Sequence, residues 1–195
     1  MTKRIFIVHG WGGLANEGWL GWLKKELEVA GYLVFAPQMP NTNEPQIKTW
    51  VEAIIQSVGV VDNNTFFIGH SIGCQAIVRY LSQLPGGEEI SGGAVFVAGF
   101  FKRLTMTDFD DKSKELTREW LNTLIDFNLV KKHLIKSLAI FSDNDPYVPL
   151  DNQEDFKEGL NSEVIIEHEQ GHFSGSSGLL EYPSILKNIK VFIGN

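Results

Sequence analysis

The chain has 195 residues, enough for one domain with a sizeable core and too few for a second full one. Its hydrophobic content of 43% and charged content of 21% are those of an ordinary globular protein, not a disordered or fibrous one. A formal charge of −7, with no basic run, argues against nucleic acid or an anionic membrane as the main partner.

The first eight residues, Met1-Thr2-Lys3-Arg4-Ile5-Phe6-Ile7-Val8, carry the charge of a signal peptide. The apolar stretch is only four residues long and no small-residue cleavage site follows, so a cytoplasmic location is expected. No apolar run approaches the length needed to span a bilayer. Residues 5–8 read as a first strand. Trp19, Leu20, Leu23, Leu27 and Ala30 then share one helical face, with Gly31 as the C-terminal stop. Residues 32–36 form a second strand, and Ile47, Trp50, Val51, Ile54 and Ile55 a second helical face. Strand three is 65–68, and its helix continues through Ile77, Leu81 and Leu84 to stop before Pro85-Gly86-Gly87. Strand four is 94–98. The stretch 100–136 carries no strand signal; 113–127 within it has helical character, as an excursion over the sheet edge or a small lid above the site. Strands at 138–141 and 164–166 follow, separated by a helix marked by Phe156 and Leu160. Ile185, Leu186, Ile189 and Phe192 mark the last helix.

Most of these strands are continuous apolar runs, the pattern of parallel strands covered on both faces. Their alternation with helices predicts one α/β domain over residues 1–195, built on a six-stranded, mostly parallel, doubly wound sheet flanked by helices.

Gly69-His70-Ser71-Ile72-Gly73 lies between strand three and its helix. A serine between two glycines at such a turn is the nucleophile elbow of the α/β-hydrolases. The turn leaves no room for side chains two positions either side of the serine, and it lifts Oγ above the sheet. The following helix directs its N–H groups and positive dipole end at the same point. Cys74, the lone cysteine, permits no internal disulfide and reads as a small buried apolar residue in a reducing compartment.

A serine nucleophile needs a base, a group to orient that base, and donors for the oxyanion. In this fold the acid and then the histidine follow in loops after later strands. Ser142-Asp143-Asn144-Asp145-Pro146-Tyr147-Val148-Pro149 follows strand five. Asp145 is preferred as the acid, because Pro146 fixes the chain beside it and the next residues anchor the loop. Asp143 is the alternative, with turn formation as its ordinary role. Among five histidines, His70 sits in the elbow with its ring expected to point away from Oγ, His9 ends strand one, and His133 lies in the excursion. His172 is preferred over His168 because Gly171 frees its loop. After strand one, His9-Gly10-Trp11-Gly12-Gly13 allows close backbone approach to a substrate. The Trp11 N–H and the Ile72 N–H are the expected oxyanion donors.

The elbow, the Asp-Pro loop, the Gly-His-Phe loop and the segment from Glu17 to Glu28 together resemble the small serine hydrolases related to retinoblastoma-binding protein 9 and bacterial YdeN. The resemblance covers nearly the whole chain. It implies the triad Ser71, Asp145 and His172 on a minimal α/β-hydrolase lacking the first two strands of larger members, acting on small ester and amide substrates. The Leu-x-Cys-x-Glu sequence tied to retinoblastoma-protein binding is absent, since Gln75 and Ala76 follow the only cysteine. That partner does not carry over.

Two other motifs compete. His168-Glu169-Gln170-Gly171-His172 matches the H-E-x-x-H zinc signature, which requires a helix to bring both imidazoles to one metal. Here it follows a strand run, contains Gly171, and continues as a loop through 173–178. Residues 10–15 fit the dinucleotide fingerprint, but the second strand ends Phe35-Ala36-Pro37-Gln38, with no acid for a ribose. A third alternative is a binding protein that keeps the fold without catalysis. The expectation is a serine hydrolase acting on a small ester, thioester or amide through an acyl-enzyme on Ser71, with no metal or organic cofactor. Ester or thioester is favoured over peptide, because an unextended fold offers no evident groove for a chain.

Overall fold

The computed structural model describes residues 2–16, 18–86, 89–174 and 180–194. Glu17, Gly87 and residues 175–178, on which the helix resemblance, the helix stop and the loop after Phe173 partly draw, lie outside them. In chain order the elements are β1 (Arg4–Val8), α1 (Gly18–Val29), β2 (Leu33–Phe35), α2 (Ile47–Val58), β3 (Thr65–His70), α3 (Ile72–Leu81) and β4 (Gly93–Val97). Then follow α4 (Asp111–Asn122), α5 (Phe127–Lys132), β5 (Ser137–Ser142), α6 (Asn152–Leu160), β6 (Glu163–Glu167) and α7 (Pro183–Ile193). No helix among the described residues is long and apolar enough to cross a membrane.

The strands pair in the order β2-β1-β3-β4-β5-β6, and every pair is parallel. Side chains alternate across a strand, so a continuous apolar run feeds two cores at once. Phe6, Phe67, Phe96 and Phe141 face one core with α2, α3 and α6. Ile5, Ile7, Ile68, Val95 and Ile140 face the other, with α1 and α7. β3 is buried along its whole length, and it runs two residues beyond the predicted end, up to the elbow itself. Ile55, expected on the buried face of α2, is exposed.

The excursion departs from the single predicted helix over 113–127. Two helices form, and each opens on an aspartate. Asp110 accepts from Ser113 N at 2.6 Å, and Asp126 accepts from Asn128 N at 2.9 Å and Leu129 N at 3.2 Å. α4 stops where it does because a buried arginine on α3 meets its end. Arg79 Nη2 donates to the carbonyls of Trp120 and Thr123 at 2.9 and 2.8 Å, satisfying acceptors left open by the last turn. Trp120 is fully buried, lies edge-on to Trp50, and donates its indole N–H to Pro45 O at 3.0 Å. α4 thus docks on the α2–α3 face, and the segment before it, 100–109, is left to reach the sheet's carboxyl end.

Trp120 is therefore the large buried anchor of α4. Trp120→Ala should cost about 3–5 kcal/mol in a urea unfolding titration, from the cavity and the lost indole bond together. A loss under about 1 kcal/mol would show that α4 is held by other contacts.

Candidate active site

β3 delivers the chain into Ser71 at φ 54° and ψ −124°, a region where a side chain is strained by about 1–3 kcal/mol. The surroundings hold it there. Ser71 N donates to Val97 O on the neighbouring strand at 2.9 Å, and Cys74 N returns to Ser71 O at 3.0 Å. A Cβ at Gly69 would lie 2.8 Å from Cys74 Cα, and one at Gly73 would lie 2.6 Å from His9 O and overlap Val8 O. Both glycines are present because backbone occupies the space of a side chain. Ile72 begins α3, so its N–H is among the first-turn groups with no intrahelical acceptor, at the positive end of the helix.

The acid and base loops leave β5 and β6 side by side. His172 Nε2 is 2.9 Å from Ser71 Oγ, and His172 Nδ1 is 2.8 Å from Asp145 Oδ2. With Nδ1–H donating to the carboxylate, the Nε2 lone pair is left to accept from the hydroxyl. The other oxygen of Asp145 accepts from Tyr147 N at 2.9 Å and Val148 N at 3.0 Å. Its side chain is 2% exposed, so the carboxylate is desolvated but fully hydrogen-bonded. Asp143 goes elsewhere. It pairs with His168 Nδ1 at 2.6 Å and accepts from Glu169 N at 2.9 Å, both at the surface. The Glu169 N–H, then His168, hold the Asp143 carboxyl below its ordinary range, and Asp143 in turn raises His168. Of the two aspartates, only Asp145 meets His172.

Two further residues act in this clasp that were not singled out from the sequence. Ser142 Oγ accepts from Gln170 N at 2.9 Å, and Asn144 Oδ1 accepts from Gly171 N at 2.8 Å. The run 142–145 therefore grips the run 168–172 with four consecutive side chains. Four small polar residues directly after the apolar run 138–141 were the available signal.

Beside Ser71 and His172 opens a cavity of about 250 Å³, lined by Trp11, Ile72, Phe100, Leu104, Phe109 and Tyr147, with Asp108 as the one carboxylate among the described residues of the lining. Trp11 and Phe109 meet edge-on at 6.1 Å between centroids, Phe109 and Tyr147 lie 6.1 Å apart, and Tyr147 meets the His172 ring at 5.2 Å. Thr105 N donates to Tyr147 O at 2.7 Å, tying the start of the excursion to the acid loop. Trp11 is fixed by its indole N–H on Asn43 O at 3.1 Å, while the next two N–H groups are taken by Thr42 O and Gly10 O. Trp11 and Ile72 thus both border the space above Ser71.

The remaining histidines are buried or distant. His9 donates through Nδ1 to Gly10 O at 2.8 Å and accepts Met39 N at 3.1 Å on Nε2, and burial lowers its pKa. His133 bonds Glu89 O. The H-E-x-x-H letters do not form a helix: Glu169 and Gly171 sit at φ 54° and 56°, and His168 turns to Asp143 while His172 turns to Asp145 and Ser71. Among the described residues no cluster of three or more His, Cys, Asp or Glu could hold a metal ion. The glycine loop after β1 does not open directly into a helix either, since α1 begins only at Gly18.

The sequence profile of the serine hydrolase family matches residues 5–191. The chain belongs to that family. It is 27% identical over 185 residues to YdeN of Bacillus subtilis (strain 168), across 95% of this chain and 93% of YdeN. It is 23% identical over 191 residues to serine hydrolase RBBP9 of Rattus norvegicus, covering 97% and 94% of the two chains. The crystal structure of the B. subtilis ydeN gene product superposes with a TM-score of 0.84 at 25% identity, over the whole of both chains. Est1E from Butyrivibrio proteoclasticus shares the fold at TM-score 0.72 and 14% identity, covering 98% of this chain and 87% of Est1E. The fold is that of a minimal α/β-hydrolase of this serine hydrolase family.

The packing at the elbow makes a stability test that needs no substrate. Gly73→Ala places a methyl against the carbonyls of Val8 and His9, and should lower unfolding free energy by about 2 kcal/mol or more. An unchanged urea midpoint would mean that β1 and α3 separate more easily than their contact implies.

Proposed function

We propose that the protein hydrolyses a small ester, thioester or amide through an acyl-enzyme on Ser71. The observation that carries this reading is the unbroken chain from Asp145 through His172 to Ser71, at 2.8 and 2.9 Å, opening on an apolar cavity. In this reading His172 Nε2 takes the hydroxyl proton as Ser71 Oγ attacks the acyl carbon. Asp145 keeps the imidazole in the Nδ1–H tautomer and stabilises the imidazolium that forms. The Trp11 and Ile72 N–H groups receive the oxyanion. His172 then returns its proton to the leaving alcohol, thiol or amine, and water attacks the acyl-enzyme by the same route in reverse. None of these steps calls on a metal or organic cofactor.

The cavity's walls favour an apolar acyl group over a charged one. The segment 100–109 supplies three of those walls through Phe100, Leu104 and Phe109, and we read it as part of the acyl pocket, fixed by the Thr105–Tyr147 bond, not as a separate lid. An ester or thioester suits a cavity of about 250 Å³ better than a peptide. The lone cysteine, Cys74, is buried and unpaired, which fits a reducing cytoplasmic setting.

A fluorophosphonate probe should label the wild-type protein and fail on Ser71→Ala, with hydrolysis of 4-nitrophenyl esters falling about 10⁴-fold or more. Asp145→Asn should lose about 10³–10⁴-fold and Asp143→Asn less than about tenfold, because only the former touches His172. Labelling of Ser71→Ala at the wild-type level would overturn the nucleophile, and an unlabelled wild-type protein would point to a binding role on this fold.

Phe109 spans the cavity between Trp11 and Tyr147, so its removal should lengthen the accepted acyl group. In a series of 4-nitrophenyl esters, Phe109→Ala should move the preferred chain longer, raising the octanoate-to-acetate ratio of kcat/KM about tenfold. An unchanged ratio would place the acyl group elsewhere.

A further inference from the structure

The residue before the nucleophile is a buried histidine that the hydrolytic steps do not use. His70 lies 8% exposed at the end of β3, and its Nε2 is 2.9 Å from the main-chain carbonyl of His172. A carbonyl only accepts, so Nε2 carries the proton. Three chain segments converge on this ring. Trp19 of α1 meets it edge-on at 5.7 Å, the His172 ring lies 5.1 Å away, and a Cβ at Gly10 would come within 3.0 Å of Nδ1. The charged or titratable groups facing it are His172, Asp145 and His9. Burial, and then the neighbouring His172, hold the His70 pKa down at about 3, so the ring remains a neutral single donor wherever His172 works.

Resting on the hydrolase reading above, we propose that His70 is a positioning residue that ties the loop bearing His172 to the nucleophile elbow. The clasp from 142–145 holds that loop from the acid side only. Downstream, Phe173 takes φ 47°, so the backbone turns sharply as it leaves His172. The His70 bond joins the elbow directly to this backbone, and it sets the height of the imidazole above Ser71. Because it acts on the carbonyl of His172 and not on its ring, its loss misplaces the base without removing it. A displacement near 1 Å at a reacting group costs on the order of 10²-fold in rate.

The test compares His70→Gln, whose amide N–H can take the place of Nε2–H, with His70→Asn, whose amide is too short to reach. With 4-nitrophenyl acetate, His70→Asn should lower kcat about 10- to 100-fold with KM within about twofold, while His70→Gln stays within about threefold of wild type. In a His172→Ala background, His70→Asn should add less than about twofold to the loss, since the base it positions is gone. A folded His70→Asn with wild-type kcat, equal losses in both variants, or a full additive loss without His172 would each overturn the inference. Ser71→Ala and His172→Ala, assayed alongside, separate the two levels: their retaining full activity sinks the hydrolase reading itself. Imidazole ¹⁵N spectra of the wild-type protein test the donor without any variant. His70 should appear as the neutral Nε2–H tautomer from about pH 5 to pH 9, and the Nδ1–H tautomer would overturn the proposal.

Discussion

The contact between α3 and β1 is the constraint on which the rest of the site depends. With glycine at 73, the first turn of α3 lies directly against the Val8 and His9 carbonyls, and that proximity forces the chain from β3 to reverse within one residue. Ser71 is the residue that takes the reversal, at φ 54°. The strain is stored in a place where β3 is buried along its length and pairs on both sides, so the sheet can hold it. The same reversal projects Oγ upward and brings the open N–H groups of α3 beneath it. A softer turn would give neither.

In the proposed mechanism the elbow alone makes a hydroxyl, not a nucleophile. The difference comes from two loops that leave adjacent parallel strands at the same end of the sheet. Because β5 and β6 are in register from Leu138–Glu163 to Ser142–Glu167, residues 142–145 emerge alongside 168–172 and can bond almost rung by rung. Asp145 has each oxygen occupied in the structure, so the proposed chemical step would leave little to reorganise. Its carboxylate is buried yet satisfied.

Much of this was legible in the sequence because it is written locally. A continuous apolar run, two glycines around a serine and a helix behind them all lie within 65–81. The Asp-Pro and Gly-His loops also declare themselves by composition. What escaped was written at a distance. The break between α4 and α5 is set partly by Arg79, more than forty residues upstream, and helical periodicity runs on across it. Asp126 was a local clue, since an N-cap inside an apparent helix marks a new start. The choice of Asp145 over Asp143 could be preferred from Pro146, but the difference lies in which histidine each side chain meets. His70 was invisible in principle, because its partner is a main-chain carbonyl 102 residues away, and a carbonyl has no sequence signature.

The histidines show how environment, not identity, assigns roles. His9 and His70 are buried at the carboxyl ends of β1 and β3, each spending its N–H on a backbone carbonyl, and burial lowers the pKa of both rings. His168 sits in the open with Asp143 and gains affinity for a proton that nothing nearby can use. Only His172 combines a buried carboxylate on one nitrogen, a hydroxyl on the other and a cavity in front. A proton-transfer base needs all three, because the carboxylate steadies the charge it acquires, the hydroxyl supplies the proton and the cavity admits the group that will take it. The His70 ring matters to that arrangement for the opposite reason. With its pKa held down at about 3, His70 can brace the loop that carries His172 without adding a second positive charge to compete for Asp145.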